Sequence, residues 1–229
     1  MRGVNTDDTL VATLAHALSG SRQPDLVLAT GDLVQDETRA GYVRFRDLLG
    51  NLGRPVYCLP GNHDDPVLMR EVLSVPPFQF CGVADHGPWS LVMLNSFARN
   101  DDGGVLAPED LDLLERTLAR GGSAHCLVAL HHQPVPMGSL WLDSVPLRNA
   151  DEFLAVCDRH PRIRGIVWGH VHQASDRERR GVRLLSTPST CAQFRPASDK
   201  FALDTRPPGY RWIELHADGN IDTTVVWVE

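Results

Sequence analysis

LPGNHDD, residues 59–65, sets a Pro-Gly turn directly against four polar side chains at the end of an apolar run. Gly-Asn is ordinary turn chemistry, so this stretch on its own is typical of a polar loop. The alternative is that the end of a strand presents ligands to a charged group. Residues 56–59 are apolar and predict a short strand that ends in the motif. The rest of the chain decides between the two interpretations.

The same arrangement recurs at three other places. Apolar runs at residues 26–30, 127–130 and 163–168 predict strands, and each run ends in polar sequence. Because the carboxyl ends of strands in an α/β sheet are where loops from different parts of the chain converge, we expect the four clusters to share one site. The clusters are GDLVQD (residues 31–36), GNHDD (61–65), HHQP (131–134) and GHVH (169–172).

Helical and strand patterns alternate through most of the chain, and no linker or repeat divides it. We therefore expect an α/β fold in a single domain over residues 1–229. The segment RERRGVR, residues 177–183, predicts a solvated turn. Further elements predicted are helices at 5–19 and 38–52, a helix that starts at Pro108, a helix up to His160 with a capping box at 149–152, a strand at 89–95, and a hairpin of 211–215 with 221–228.

Composition excludes several classes of protein. With 42% hydrophobic and 22% charged residues, the chain is typical of a soluble globular protein. A net charge of −7 argues against binding to a nucleic-acid backbone. The longest apolar runs are too short to span a bilayer and no signal-peptide pattern is present, so we expect a cytoplasmic protein without a membrane partner. Five widely spaced cysteines without a C-x-x-C pair predict neither a disulfide framework nor a thiolate metal site.

The residue types in the four clusters indicate metal chemistry. Carboxylate, amide oxygen and imidazole suit divalent Mn, Fe, Zn or Mg. A carboxylate can bridge two metals, and a metal pair can hold a hydroxide as nucleophile and stabilise the entering and leaving oxygens of a phosphoryl displacement. Bound cations would also offset the acidic surface and attract phosphate.

These clusters resemble the signature of the calcineurin-like metallophosphoesterase superfamily, which reads D-x-H, G-D-x-x-x-D, G-N-H-D/E, H-x-x-P or a near variant, and G-H-x-H. The stretches RGVNT (2–6), STPSTCAQF (186–194) and FALDTRPPGYRWIEL (201–215) are similar to the bacterial class III 3′,5′-cyclic-AMP phosphodiesterases. The resemblance implies a four-layer αββα sandwich that hydrolyses cyclic AMP to 5′-AMP through a two-metal bridging hydroxide. It implies a small cyclic nucleotide as substrate and allows a homodimer.

Residue by residue, the resemblance makes Asp32 the carboxylate that bridges both metals. It implies that Asn62, His131 and His170 complete the second metal site, and that His172 contributes to the first. The expected metals are Fe or Mn, with Zn or Mg as alternatives.

His63 is implied as the catalytic residue beside the phosphate, where it can stabilise developing charge or protonate the leaving ribose oxygen. The doubled histidine leaves His132 open as an alternative ligand to His131. The substrate contacts implied by the resemblance are Asp32, Asn62, His63 and His172.

One part of the family pattern is missing: no predicted strand in residues 1–229 ends in D-x-H, because the one match, DRH at residues 158–160, closes a predicted helix. We therefore expect the first metal site, with Asp32 and His172 alone, to be incomplete in this chain, and the fold to lack its first strand. Truncation at Met1 is favoured over a true loss, because removing a core strand exposes a sheet edge.

Several alternatives stay open. The chain could act on another phosphodiester or phosphomonoester, or serve as a non-catalytic metal-binding scaffold. Trp141 and Phe194 could stack on an adenine, although large aromatic residues more often pack a core. Asp36, Asp64 and Asp65 are candidates for orienting the ligating imidazoles.

Overall fold

A computed structural model describes residues 3–229. Helices and strands alternate through them, and none of these helices has the length and apolar content that a membrane span requires. The helices are α1 Thr6–Ser19, α2 Arg39–Gly50, α3 Pro66–Val72, α4 Pro108–Ala119, α5 Leu140–Asp143 and α6 Ala150–Asp158. The strands are β1 Val27–Ala29, β2 Val56–Cys58, β3 Phe78–Phe80, β4 Gly82–His86, β5 Trp89–Met93, β6 His125–Leu130, β7 Ile163–Trp168, β8 Ser175–Arg179, β9 Val182–Ser186, β10 Gly209–Leu215 and β11 Ile221–Trp227.

Helices cover the outer faces of two stacked layers of sheet, so the predicted four-layer αββα sandwich is confirmed. One apolar core lies between the first helices and β1–β3, a second between the two layers of sheet, and a third between the larger sheet and the later helices. Representative side chains of the three cores are Tyr42 and Met69, Tyr57 and Met93, and Phe153 and Trp168.

The larger sheet has the strand order β4-β5-β6-β7-β9-β8. Its inner strands β5, β6, β7 and β9 pair in parallel, whereas β4 and β8 pair antiparallel at the two edges. Strand β6 shows why the run CLVAL is apolar throughout. Its successive side chains point to opposite faces, so Val128 packs toward the later helices and Leu127 and Ala129 toward the other sheet.

The smaller sheet, β1-β2-β3, is parallel throughout. Strands β1 and β2 lead into Gly31-Asp32 and Gly61-Asn62, and in the larger sheet β6 and β7 lead into His131 and Gly169-His170. All four predicted clusters therefore follow the carboxyl ends of parallel strands, as the sequence indicated.

The polar residues after β2 have different structural roles. The Asp65 carboxylate caps α3 by accepting hydrogen bonds from the N–H groups of Val67 and Leu68, and Pro66 occupies the first turn. Asp65 therefore ends the loop and starts a helix that the sequence did not predict. The other three polar residues of this stretch lie at the predicted metal site: Asn62, His63 and Asp64.

Two local predictions were wrong in detail. Residues 149–152 do not form a capping box, because the Asn149 side chain pairs with both backbone groups of Leu106 and makes no cap hydrogen bond to α6. The segment at residues 177–183 is mostly strand: β8 and β9 pair through it, and only Arg180 and Gly181 form the turn. The partner of Asn149 lies far away in the sequence, whereas β8 and β9 form a local hairpin.

Candidate metal centre

His131 lies at the centre of the four converging strand ends. Its Nε2 atom is 3.2 Å from Asn62 Oδ1, 3.2 Å from His170 Nδ1 and 3.4 Å from Asp32 Oδ2. Its Nδ1 atom lies 2.7 Å from the carbonyl oxygen of Thr30 at the end of β1. The structure thus brings together the four residues that the resemblance assigned to the second metal.

The chemistry of these atoms suits a cation. A carbonyl only accepts, so Nδ1 of His131 carries the proton donated to Thr30, and Nε2 of the neutral ring presents a lone pair. Asn62 Oδ1 and the Asp32 carboxylate are also acceptors. Acceptors that converge in this way are satisfied by a shared proton or by a metal ion, and carboxylate, amide oxygen and imidazole fit a divalent first-row metal.

The pKa values show that the cluster holds negative charge. Burial raises the pKa of Asp32, but the neighbouring His131 and the His63 N–H group, which donates to Oδ1 at 3.0 Å, together hold it far below its usual range. Burial lowers the pKa of His131, but the Asp32 carboxylate, the Thr30 carbonyl and Asp64 together raise it above its usual value. Asp32 is therefore a carboxylate whose charge favours either a proton on His131 or a cation in its place.

Three of the predicted ligands adopt strained backbone conformations. Asp32, His170 and His172 have positive φ values of 56°, 62° and 45°. Such conformations cost of order 1–3 kcal/mol each in a residue other than glycine and cluster at functional sites. The surrounding packing keeps these residues in a geometry that aims their side chains together.

Glycines allow the strand ends to approach each other. A Cβ atom on Gly61 would lie 2.1 Å from Asp32 Oδ1, and one on Gly31 would lie 2.4 Å from His131 Nδ1. On Gly169 it would lie 2.6 Å from the carbonyl oxygen of Thr30. The glycine in each of the three clusters that contain one is thus required by close contact between segments.

Asp64 braces the turns that carry Asp32 and Asn62. Its buried carboxylate accepts hydrogen bonds from the N–H groups of Gly61 at 2.9 Å and Leu33 at 3.1 Å, and from the Tyr42 hydroxyl at 3.0 Å. Burial and the nearby Asp32 charge raise its pKa to about 6. Of the three aspartates considered from the sequence, Asp64 is the one that supports the site.

The remaining two aspartates act elsewhere. Asp65 caps α3, and exposed Asp36 accepts from the N–H of Thr38 ahead of α2. Among the described residues none of the three aspartates, Asp64 included, makes a hydrogen bond to a ligating imidazole, because Asp64 supports the site through backbone N–H groups and Tyr42.

His63 differs from its neighbours because it is exposed. Its backbone N–H donates to Asp32, which fixes the residue beside the cluster while the side chain faces solvent. A side chain in this position is accessible to a bound substrate.

His132 faces a different partner from His131. Its Nδ1 atom is 2.9 Å from the Ser96 hydroxyl, and its buried Nε2 has no hydrogen-bond partner within residues 3–229. Burial lowers its pKa well below the usual value. His132 nevertheless belongs to a histidine cluster with His131 and His170, whose ligand atoms lie within 4.8 Å of one another. The geometry favours His131 as the ligand, because it is the ring whose Nε2 points at Asn62 and Asp32.

His172 is held from two sides. Its Nδ1 donates to the Ala192 carbonyl at 2.7 Å, and its ring stacks flat on Phe194 at 4.1 Å with an interplanar angle of 2°. Burial lowers its pKa to about 4, so the ring is neutral near pH 7 and its Nε2 presents a lone pair. Sequence reasoning missed this support, and it missed Tyr42 and Ser96. No local signal marks them, because each contacts the site from a distant element.

Comparison with known proteins gives consistent matches. Residues 4–174 match the family described as calcineurin-like phosphoesterase. The chain is 39% identical over 226 residues to a 3′,5′-cyclic adenosine monophosphate phosphodiesterase CpdA of Haemophilus influenzae, covering 97% of this chain and 82% of that protein. The CpdA of Escherichia coli K12 is likewise 39% identical, with the same coverage of 97% and 82%. A 3′,5′-cyclic-nucleotide phosphodiesterase of a Nostoc species is 34% identical, covering 98% of this chain and 85% of that protein.

Solved structures share the fold at low sequence identity. A dimetal phosphatase from Danio rerio aligns with a TM-score of 0.59 at 14% identity, covering 98% of this chain and 88% of that one. GAP50, described as the anchor in the inner membrane complex of Plasmodium, aligns with a TM-score of 0.69 at 10% identity, covering 98% and 81%. At these identities the likeness concerns the fold alone.

Proposed function

Because the chain belongs to the calcineurin-like phosphoesterase family, we propose that it hydrolyses 3′,5′-cyclic AMP to 5′-AMP in a reaction that depends on two divalent metal ions. The substrate is proposed from relatives named cyclic-AMP phosphodiesterases, which are 39% identical over nearly the whole chain. The observation that carries the metal dependence is the convergence of Asp32, Asn62 and His170 on Nε2 of His131.

The residues divide between two ion sites. Asp32, Asn62, His131 and His170 would hold the second metal, and Asp32 with His172 would contribute to the first. From the resemblance to the family we expect Fe or Mn, and this set of oxygen and imidazole ligands also admits Zn and Mg. When bound, such metals supply a hydroxide nucleophile at neutral pH and stabilise the charge that develops on the phosphoryl oxygens.

The protein itself contributes position and a proton. His63 is exposed beside Asn62 and is tied to Asp32 through its backbone N–H. It is the side chain proposed to protonate the leaving 3′ oxygen of the ribose, so that 5′-AMP is the product. Asp32, Asn62, His63 and His172 are the proposed contacts of the cyclic phosphate.

Metal-dependent product formation tests this proposal. The protein is stripped with EDTA, reloaded with Mn²⁺ or Fe²⁺, and given cyclic AMP, as residues 1–229 and as the full product of its gene. Chromatography should show 5′-AMP only after metal is added. Asp32→Asn should abolish the activity, and Asp47→Asn, at an exposed carboxylate of α2 outside all four clusters, should keep it. Full activity in Asp32→Asn would contradict the bridging assignment.

The same experiment separates the alternatives. Hydrolysis of other phosphoesters without cyclic AMP would indicate a different substrate. Metal uptake without turnover of any ester by the full gene product would favour the scaffold.

A further inference from the structure

Three aromatic rings form a cluster that leads from His172 to the surface. Trp141, Phe194 and Phe201 contact one another edge to face, with centroid distances of 5.0 Å for Trp141 and Phe194 and 5.3 Å for both pairs that include Phe201. Phe194 also stacks flat on His172 at 4.1 Å. The cluster is therefore continuous with the proposed phosphate site.

The rings differ in what they can still contact. Phe194 is only 7% exposed and one of its faces is covered by His172, so it cannot serve as a stacking surface for a ligand. Phe201 is 40% exposed, and Leu203, which forms a backbone bridge with Phe194, is 37% exposed. Exposed apolar side chains grouped next to a polar site are typical of a ligand surface.

Backbone hydrogen bonds hold this surface in place. The N–H of Phe194 donates to the carbonyl of His172 at 3.1 Å, and the N–H of Arg195 donates to the carbonyl of Ala202 at 2.8 Å. The loop that carries Phe201 is thereby tied to the strand end that carries His172. An ordered aromatic surface loses little conformational freedom when a flat ligand binds.

We propose that Trp141 and Phe201 form the wall on which the base of the cyclic nucleotide rests. This inference rests on the proposed function and adds a specificity determinant to it. In a nucleotide the base is separated from the phosphate by one sugar, and in the structure these two rings are separated from His172 by the one ring of Phe194. Aromatic side chains stack on any base, so the wall selects nucleotides over esters that lack a base.

The experiment compares cyclic AMP with methyl riboside 3′,5′-cyclic phosphate, which has the same ester and no base. Phe201→Ala should raise the KM for cyclic AMP about tenfold and leave both kcat and the KM for the baseless ester unchanged. Phe201→Trp keeps an aromatic face and should keep the KM of the wild type. Val11→Ala, at a 47% exposed residue of α1, is the control and should leave kcat and KM unchanged for both substrates.

Trp141→Ala should also raise the KM for cyclic AMP. If the Trp141→Ala variant fails to fold, the result for Phe201→Ala decides the test. The proposal would be overturned if the wild type had equal KM values for the two substrates. It would also be overturned if Phe201→Ala changed both KM values by the same factor.

Binding of 5′-AMP and ribose 5-phosphate, measured by calorimetry, gives the comparison without turnover. Phe201→Ala should weaken the binding of 5′-AMP and leave the binding of ribose 5-phosphate unchanged. An unchanged affinity for 5′-AMP would overturn the proposal. Absence of metal-dependent hydrolysis would count against the proposed function. The binding of 5′-AMP would then still test whether Trp141 and Phe201 contact the base.

Discussion

Substituting Gly61 by alanine should damage the metal centre without removing any ligand. The added Cβ would lie 2.1 Å from Asp32 Oδ1, 2.6 Å from the backbone nitrogen of Asp32 and 2.6 Å from Cε1 of His131. Ordinary contact begins near 3.4 Å, so the carboxylate has to move by roughly 1 Å in a site that is already closely packed. The Asp32 carboxylate would then leave its position beside Nε2 of His131.

Overpacking should lower the stability of the Gly61→Ala variant, and misplaced ligands should lower its affinity for metal. We expect the free energy of unfolding in EDTA to fall by about 1–3 kcal/mol. Affinity for Mn²⁺ should fall about 10- to 100-fold, the loss that follows when the support of metal ligands is disturbed. Urea denaturation measures the first quantity, and equilibrium dialysis with metal analysis measures the second.

Gly20→Ala is the matched control. Its Cβ would meet only the backbone nitrogen of Arg22, at 3.9 Å, and Gly20 has an extended backbone with φ −82°. That variant should match the wild type in both assays. If Gly61→Ala also binds Mn²⁺ and unfolds as the wild type does, close approach at Gly61 is not what positions Asp32 and His131.

Three further outcomes are expected. His63→Ala should keep its metal and lose about 10²- to 10⁴-fold in kcat, since it would remove proton donation alone; loss of metal would make His63 a ligand. His131→Ala should lose metal and His132→Ala should retain it, as metal analysis of the purified variants can show; the reverse result would exchange their roles. Burial lowers the pKa of His170 to about 3 and of His172 to about 4, against 6.5 in the unfolded chain, so these rings oppose folding increasingly as pH falls from 6.5 toward 4. The loss of unfolding free energy between pH 7 and pH 5 in EDTA should therefore be smaller in His172→Asn than in the wild type, and an equal loss would show that His172 is not kept neutral by the fold.

The sequence predicted the strands that carry the site because their signal is local. Each is a short apolar run that stops at a polar cluster, and strand β7 matches its predicted bounds of residues 163–168. Strands β3 and β4 were missed. Phe78–Phe80 has only three residues, too few for a pattern, and it exists because it pairs with β2.

The supporting residues of the site could not be predicted in the same way. The adjacent aspartates Asp64 and Asp65 look equivalent in the sequence, yet one is buried against Tyr42 and the other caps a helix. Phe194 was considered as a surface on which an adenine could stack, but in the structure it lies against His172, and that contact depends on a loop that returns from a distant strand. The single-domain organisation, a cytoplasmic location and a homodimer stay predictions.

The ligands of the proposed second metal come from both layers of sheet: Asp32 and Asn62 follow strands of the smaller sheet, and His131 and His170 follow strands of the larger one. An ion held there would act as a cross-link between two layers that otherwise meet through an apolar core and a few hydrogen bonds, such as the one from His131 Nδ1 to the Thr30 carbonyl. It would bind the assembled sandwich and not the separated layers, so a free concentration 100 times the dissociation constant would favour the assembled state by about 2.7 kcal/mol. Chelation should then loosen the smaller sheet relative to the larger one, and faster amide exchange in β1 and β2 would report that the layers had begun to separate.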